Sequence, residues 1–502
     1  MIRRAGVLLV VLAFLGVFAQ PAAADLVKIT SFSPLSGPPG TIVTINGGGL
    51  GTTTKVQFNG VNATFVVHTA RKVTAVVPPT ASSGPITVTK AKPVSSATSV
   101  NDFTVTLPPD TTPWPMFQHD PQHTGKSTGS GPSTSAVRAN WEFKGPSWIK
   151  NEPSIGPDGT VYIGLARHPL CALEGASGTQ KWCTNIGGFV NQSSATIGNP
   201  FMKTDAQGTR KVQTVYMGDR NNVFWAVDSE GDDLWSYKIN LDGDVRASAI
   251  IGPEPTNTIY MMCGCTTRAV MHALAPDGTL KWFLNLPTSR DASPAAIQFG
   301  PHFRLYMVSN NAELVAIDDL GTSGVVAWTL PLATLSEHSS PTIGPDGTIY
   351  VGTEDGLFAV RDNGTSAQVL PGWPFPTAGG VDTTAAISSG KVYVSSLDGG
   401  TRTVYGINPA TNPPTQLWSK TGPGSGSTSF AQTPSPVIGS NGLVYAAIGK
   451  QVYAFDPAVA NPAATPRWQF TLRDDAIALT VGDGVLYVSA KDSRVYALIA
   501  GP

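Results

Sequence analysis

Charged residues, helical patterns and long apolar stretches are scarce in this chain, and each shortage excludes a class of protein. Only 13% of the 502 residues are charged and the formal net charge is −1, which excludes general affinity for nucleic acid or anionic membranes. No window carries a sustained helical apolar period, and no segment beyond the N-terminus is apolar over a length that spans a bilayer. We therefore expect a nearly helix-free protein.

The motifs of common enzyme classes are missing as well. The chain has no GxSxG nucleophile elbow, no HExxH zinc helix and no phosphate-binding loop. It also lacks the CxxCH haem attachment motif. The sequence therefore offers no catalytic residue, and we expect a protein that is not an enzyme.

Glycine and proline, by contrast, are abundant, with 53 and 41 residues, and they separate short β-prone runs. Two aromatic residues recur within these runs. Eight tryptophans follow one another at separations of 41 to 53 residues: Trp141, Trp182, Trp235, Trp282, Trp328, Trp373, Trp418 and Trp468. Eight tyrosines alternate with them: Tyr162, Tyr216, Tyr260, Tyr306, Tyr350, Tyr393, Tyr445 and Tyr487. This period predicts an all-β fold, an eight-bladed β-propeller with four strands per blade.

The ends of the repeated region predict how the propeller closes. The last unit reaches Pro502 without a tryptophan, whereas Trp141 precedes the first complete unit. The two half-units make one blade if Trp141-Glu142-Phe143 is its outer strand, paired with the C-terminal strands. We interpret the eight tryptophans as packing residues rather than ligand-stacking residues, because a residue that recurs in every unit is required by the fold itself.

Residues 1–24 have the features of a secretory leader, with Arg3 and Arg4 before an apolar stretch and Ala22-Ala23-Ala24 at its end. No cysteine follows the apolar stretch, so lipid attachment is not supported. We expect an extracytoplasmic protein, in the periplasm, the cell envelope or the medium. The expected domains are the leader at 1–24, a small β-sandwich at 25–107, a linker and strap at 108–140 and the propeller at 141–502.

The segment at 25–107 resembles the IPT/TIG immunoglobulin-like family. The resemblance is carried by Pro34, Ser36-Gly37, Gly40-Thr41, Val43-Thr44-Ile45, Gly47, Val56-Gln57-Phe58, Val76-Val77-Pro78 and Ser83-Gly84. It implies an immunoglobulin-like sandwich that acts as a spacer or a protein-contact module, without catalysis.

The repeated region resembles the pyrroloquinoline-quinone-type repeat family, which includes barrel-assembly lipoproteins and quinoprotein dehydrogenases. The run WPMFQHDPQHTG from Trp114 to Gly125 carries the resemblance, together with GPDGTVYIG, GPDGTIYVG and LAPDGTLKW. For an enzyme of this family, it implies pyrroloquinoline quinone and calcium as cofactors. Those enzymes place two adjacent half-cystines beneath the quinone, whereas this chain offers only Cys263-Gly264-Cys265, so no cofactor is expected.

The four cysteines suit an oxidising compartment. Cys171 and Cys183 flank the turn EGASG between two expected neighbouring strands, so a hairpin disulfide is a candidate. A bond between Cys263 and Cys265 is a second candidate. Residues two apart in a strand have Cα atoms ~7 Å apart, so this bond needs a bend at Gly264.

Aligning the eight units brings one polar residue of each blade to the axial face. These residues form a candidate binding ring: Lys150, Gln192, Arg246, Asp291, His338, Asp382, Thr433 and Asp475. A second column, directly before the Pro or Ala of each inner strand, holds mostly small hydroxyl residues: Glu152, Ser194, Ser248, Ser293, Ser340, Thr384, Ser435 and Ile477. The mixed charge suits a polar ligand or a peptide; the alternative is a rim that is polar only because water fills it.

His119, Asp120 and His123 lie within five residues of one another, as metal ligands sometimes do. No helix or strand pattern brings them together, so we expect a strap packed on the propeller and no metal site.

Two classes of function remain. The first is a monomeric, secreted binding or scaffold protein whose propeller face recognises a protein, peptide or glycan of the envelope or the medium. The second is a quinone-dependent oxidoreductase, although the fold alone does not confer that activity. An envelope or outer-membrane assembly factor is a third hypothesis.

Overall fold

A computed structural model describes residues 26–37, 40–78, 81, 84–105, 114–166, 168–184, 192–239, 243–265, 269–286, 292–309, 313–332, 339–424 and 434–501; the expected leader lies outside these ranges. The chain divides into two compact units, the first of residues 1–109 together with 204–210 and the second of residues 110–203 and 211–502. Within the described ranges the only helix is a 3₁₀ turn at Leu50–Thr52, and no helix there could cross a membrane. The expectation of an all-β, nearly helix-free protein is confirmed.

The first unit is a sandwich of two sheets. One contains, in spatial order, strands Lys28–Ser33, Ile42–Gly48, Lys72–Val76 and Phe65–Thr69. The other contains Ser36–Gly37, Val94–Val105, Gly84–Ala91, Thr53–Phe58 and Val61–Ala63. Alternate residues face inward, so that Ile45, Phe58 and Phe103 are buried between the sheets. A Cβ on Gly47 would lie 1.8 Å from the carbonyl oxygen of Lys28, which explains the glycine there.

The described residues of the second unit form eight antiparallel sheets, numbered here along the chain. Sheet 1 has Ser154–Ile155, Val161–Leu165, His168–Leu173 and Gln180–Thr184; sheet 2 has Thr196–Asp205, Gly208–Gly218, Val223–Asp228 and Asp233–Lys238. Sheet 3 has Gly243–Asp244, Ile250–Ile251, Ile259–Cys265, Ala269–Leu274 and Leu280–Leu286; sheet 4 has Ala295–Phe299, His302–Ser309, Glu313–Asp319 and Gly324–Pro331.

The remaining four sheets repeat the same antiparallel order. Sheet 5 has Thr342–Ile343, Ile349–Thr353, Gly356–Asp362 and Ala367–Val369; sheet 6 has Ala386–Ser388, Lys391–Asp398, Thr401–Asn408 and Thr415–Pro423. Sheet 7 has Val437–Ile438, Val444–Ile448, Gln451–Phe455 and Trp468–Thr471; sheet 8 has Ala476–Gly482, Val485–Ala490, Arg494–Ala500 and Val137–Lys144.

Sheet 8 joins the two ends of the second unit. Val137–Lys144 pairs antiparallel with Arg494–Ala500, and Trp141 lies opposite Ala497 in this ladder. Trp141-Glu142-Phe143 therefore lies in the outer strand of the last sheet, where the half-units of the sequence place it.

The two aromatic columns of the sequence are partners in one repeated contact. In each sheet a tyrosine of the strand next to the innermost one packs against the tryptophan of that sheet, with ring centroids 5.6 to 6.1 Å apart. Seven of the eight tryptophans lie in outermost strands. Trp373 differs because Pro371 and Pro374 flank it, and proline cannot donate to a strand ladder. The same aromatic pair thus recurs in every sheet, and Trp182, Trp235 and Trp373 are half-buried while the other five tryptophans are buried.

Candidate functional site

The innermost strands of the eight sheets surround an axial cavity of about 40 Å³. Its wall contains the complete small-residue column of the sequence: Glu152, Ser194, Ser248, Ser293, Ser340, Thr384, Ser435 and Ile477. Phe117, Gln192, Arg246, Asp382 and Ala478 complete the lining. Each of the eight sheets therefore contributes to the wall of one cavity, and the residues it contributes include those that the alignment of the units brings into one column.

The hydroxyl groups of this column connect neighbouring sheets. The backbone N–H of one column residue donates to the serine Oγ of the column in the next sheet: Glu152 to Ser194 at 3.1 Å, Ser194 to Ser248, Ser248 to Ser293 and Ser293 to Ser340 at 2.9 Å, and Thr384 to Ser435 at 3.0 Å. In these five bonds the small hydroxyl side chain supplies an acceptor to an N–H that an apolar side chain would leave without this partner.

The segment of residues 114–130, called the strap below, reaches all eight sheets. Its carbonyl groups accept from backbone N–H groups of seven of them: Ile155, Ile197, Ala296, Ile343, Ile387, Ile438 and Gly484. In sheet 3, Met116 packs with Ala247 and Ile250 instead. Phe117 of the strap lines the axial cavity, so the strap closes the axis at that end.

Glu152 anchors the strap to the cavity wall. Its side chain is buried and accepts hydrogen bonds from Trp114 Nε1 and from both the backbone N–H and the Nε2 of Gln118, the latter two at 2.9 and 3.0 Å. Burial raises the pKa of Glu152 to about 8, against the lowering effect of these donors. This carboxyl group therefore keeps its proton at neutral pH, at which an exposed glutamate is fully ionised.

The polar residues of the strap bind within the protein rather than converging on one point. His123 is buried, and its Nδ1 lies 3.0 Å from the carbonyl oxygen of Pro341 in sheet 5. Burial lowers the pKa of His123 to about 4, so its ring is neutral at pH 7. Burial would raise the pKa of Asp120, but the bonds from His119 and Thr124 outweigh it and lower the pKa. These contacts hold the strap in its conformation.

Three members of the predicted ring, Gln192, Arg246 and Asp382, line the axial cavity. Lys150 lies near Arg246 and Arg220, and burial together with these two cations lowers the pKa of Lys150. Asp475 forms an ion pair with Lys491 at 3.5 Å. The other members, Asp291, His338 and Thr433, lie outside the described residues.

The sequence analysis missed several charged groups around this rim. Asp244 binds both Arg246, at 2.5 Å, and Arg220, at 3.1 Å. Arg402 is 3% exposed, and burial lowers its pKa against the opposing effect of Asp382 and Asp475. Both residues lie outside the aligned column, so the alignment of the units does not identify them.

One acidic cluster lies away from the axis. Asp228, Glu230 and Asp232 are the only such group of three ligand residues among the described parts of the chain. The ammonium group of Lys203 lies among them, 2.6 Å from Asp228 and 3.1 Å from Glu230, and also binds Asp232. The ammonium group of Lys203 thus occupies the position between the three carboxylates and offsets part of their negative charge.

The cysteines are distributed over two sheets. Cys171 and Cys183 lie opposite each other in sheet 1 and form a disulfide. The Sγ of Cys263 lies 3.8 Å from Asn222 Oδ1, and the side chain of Cys265 lies outside the described part of the chain. The proposed bond between Cys263 and Cys265 therefore stays a prediction.

Comparison with known proteins relates both units to families. A family model described as outer membrane protein assembly factor BamB matches residues 136–370 and 322–460, and one described as the IPT/TIG domain matches residues 27–105. No curated protein matches the sequence.

Solved structures of similar fold are numerous. BamB from Moraxella catarrhalis is 14% identical with a TM-score of 0.52, over 72% of this chain and 100% of that one. Quinohemoprotein alcohol dehydrogenase from Comamonas testosteroni is 12% identical with a TM-score of 0.56, over 78% of this chain and 81% of that one. The corresponding enzyme ADHIIG from Pseudomonas putida HK5 is 12% identical with a TM-score of 0.54 over the same shares. At these identities the comparison shows a shared β-propeller fold and nothing of the chemistry.

Proposed function

We propose that this chain, which belongs to the pyrroloquinoline-quinone-type repeat family described as outer membrane protein assembly factor BamB, is a non-enzymatic binding or scaffold protein. Its eight sheets are the blades of one closed propeller, the unit before it is an IPT/TIG spacer or contact module, and its ligand is a protein, peptide or glycan. Both family resemblances inferred from the sequence are confirmed by the family matches.

The size of the axial cavity carries the proposal. Drug-sized ligands occupy pockets of roughly 300 to 1,000 Å³, and a tricyclic quinone belongs to that class. The cavity here is about 40 Å³, and it is bounded by the column of hydroxyl residues and by Phe117. The residues at the axis therefore do not fit the quinone used by the dehydrogenases of this fold, and no reaction step is assigned to it.

The open rim of the axis supplies a recognition surface with charges of both signs. On one side Arg220 and Arg246 bind Asp244, with Lys150 near both arginines, and on another Arg402 interacts with Asp382 and Asp475. Such a rim selects partners by complementary charge and contributes more to specificity than to affinity.

An extracytoplasmic location is part of the proposal. The leader expected at 1–24 supports export, and the Cys171–Cys183 disulfide suits an oxidising compartment.

Two measurements test this function. The purified protein is mixed with pyrroloquinoline quinone and calcium and examined for a bound chromophore and for dye-linked oxidation of alcohols or sugars. We expect neither, and a stoichiometric chromophore with oxidation activity would establish the oxidoreductase instead.

The second measurement compares partners captured from an envelope fraction by the parent protein and by the double variant Arg246→Gln, Asp382→Asn. Loss of a specific partner in this variant, with retention by the exposed control Arg361→Gln, is the expected result. Equal capture by all three proteins would remove the axial rim from the proposal.

An assembly factor for outer membrane proteins is the second candidate, because the matching family carries that description. In that case the captured partners are β-barrel proteins or components of their assembly machinery.

A further inference from the structure

Sheet 2 departs from the repeat. Its first two strands, Thr196–Asp205 and Gly208–Gly218, contain 10 and 11 residues, whereas the first strand of each other sheet contains two to seven. The additional length comes from the insertion GNPFMKTDAQGTRK, which no other unit contains. The fold requires the same strands in every unit. An insertion found in one unit therefore points to a function other than forming the fold.

The insertion forms one wall of a groove of about 560 Å³ between sheets 2 and 3. Phe201 of the insertion and Leu234 and Trp235 of the outer strand of sheet 2 supply apolar surface, and Asn257 and Asp277 of two turns in sheet 3 lie opposite. Leu234 is 38% exposed in this groove. The volume lies within the range of ligand sites, and exposed apolar side chains with a polar rim are typical of interaction surfaces.

Trp235 keeps the structural contacts of its repeat position. It packs on Tyr216 with ring centroids 5.7 Å apart and donates its indole N–H to the carbonyl oxygen of Pro276 at 3.0 Å. The ring is therefore fixed by the fold while part of it faces the groove. A rigid aromatic side chain contributes contact area at small entropic cost.

The surroundings of the groove are acidic. Asp277 lines the groove, and Glu254 accepts from the side chain of Asn199, which also lines it. Both carboxylate residues are exposed. The residues that line the groove include no lysine or arginine. The described wall of the groove is therefore negatively charged.

We propose that this groove binds an extended segment of a partner protein in which apolar side chains alternate with lysine or arginine. The apolar side chains lie against Phe201, Leu234 and Trp235, and the basic ones face the carboxylates around the groove. This site is separate from the axial rim and does not depend on the function proposed above.

The test uses the full-length protein and three fluorescein-labelled peptides, GKLKFKG, GELEFEG and GKSKTKG, with binding followed by fluorescence anisotropy. We expect only the first peptide to bind, with a dissociation constant below about 1 mM. Binding is expected to weaken with added salt, because the carboxylates around the groove are solvent-exposed charges.

Two substitutions locate the site. Leu234→Glu, in a partly exposed position, weakens GKLKFKG binding at least about tenfold, whereas Leu417→Glu, on the outer strand of sheet 6 and 42% exposed, leaves it unchanged. Asp277→Asn weakens binding and its salt dependence, and asparagine retains the turn bond to the N–H of Thr279. Arg246→Gln at the axial rim has no effect.

Several outcomes would overturn the proposal. These are absence of binding by GKLKFKG up to about 1 mM, equal binding by GELEFEG or GKSKTKG, and unchanged binding to a Leu234→Glu variant with parental circular dichroism. Competition by a neutral oligosaccharide would assign the groove to a glycan instead.

Discussion

Glu152 belongs to the column of the cavity wall and also binds the strap. It occupies the column in which six of the other seven residues carry a small hydroxyl group, and its carboxyl group accepts three hydrogen bonds from the strap. Every donor is a strap atom, so an ionised Glu152 would be stabilised only while the strap is in place. The burial that raises the pKa of Glu152 to about 8 therefore also depends on the strap.

The raised pKa of Glu152 predicts a loss of stability toward alkaline pH. The unfolded chain releases this proton near pH 4.5 and the folded protein near pH 8, so the contribution of Glu152 is full below pH 4.5 and is lost as the pH rises to about 8. Glu152→Gln should remove this loss, which is on the order of a few kcal/mol. The measurement is the free energy of urea unfolding from pH 6.5 to about 9, at constant ionic strength.

The lower pH limit of that experiment is set by His123. Its pKa is lowered to about 4 in the folded protein, so its contribution is present above pH 6.5 and is lost as the pH falls toward 4. The surface substitution Glu174→Gln serves as control and should reproduce the parental profile. If Glu152→Gln and the parent show the same alkaline slope, Glu152 does not hold its proton in the folded state.

Among the elements, the strap differs from the strands in how it stabilises the protein. A strand bonds to neighbours within its own sheet, whereas seven carbonyl groups of the strap bond to seven different sheets. Each contact closes a long chain loop, so the strap adds long-range order to an array in which each sheet otherwise contacts its neighbours.

Ser127 offers a test of the strap. Its backbone N–H donates to Ile438 of sheet 7 and its hydroxyl donates to the carbonyl oxygen of Val481 in sheet 8 at 2.9 Å, so one residue connects two sheets. Ser127→Ala should lower the free energy of unfolding by about 1 to 3 kcal/mol, because a buried carbonyl group loses its donor.

The control lies next to it in the chain. Thr128 is exposed, and Thr128→Ala should change the stability by less than about 0.5 kcal/mol. Urea unfolding of both variants gives the comparison, and equal stability of the two would mean that the strap does not hold sheets 7 and 8 together.

The sequence predicts contacts that repeat better than most of those that occur once. The aromatic columns and the hydroxyl column could be aligned because each unit provides an independent example of the same contact. The path of the strap was not predictable, since its partners lie from about 40 to more than 350 residues away and have no common pattern. The same holds for Arg402, whose charged neighbours come from two other parts of the chain.

At the scale of the whole molecule, sheet 8 determines whether the second unit is a ring or an arc. Its outer strand comes from the start of the unit and its other three strands from the end. The ladder between Val137–Lys144 and Arg494–Ala500 is therefore the contact that leaves no sheet edge unpaired at the junction. Loss of this ladder would leave the facing edges of both strands without partners.

Trp141→Ala tests this closure. The substitution removes the packing on Tyr487, at 5.7 Å between ring centroids, and the bond from the indole N–H to Gly175 of sheet 1 at 2.8 Å. We expect the free energy of unfolding to fall by about 3 to 5 kcal/mol. The dependence on urea concentration should become shallower, because an open arc unfolds progressively from its ends. Trp148→Ala is the matched control, since Trp148 is 61% exposed and its loss should cost less than about 0.5 kcal/mol. Equal midpoints and slopes for the two variants would show that the ring does not depend on this junction.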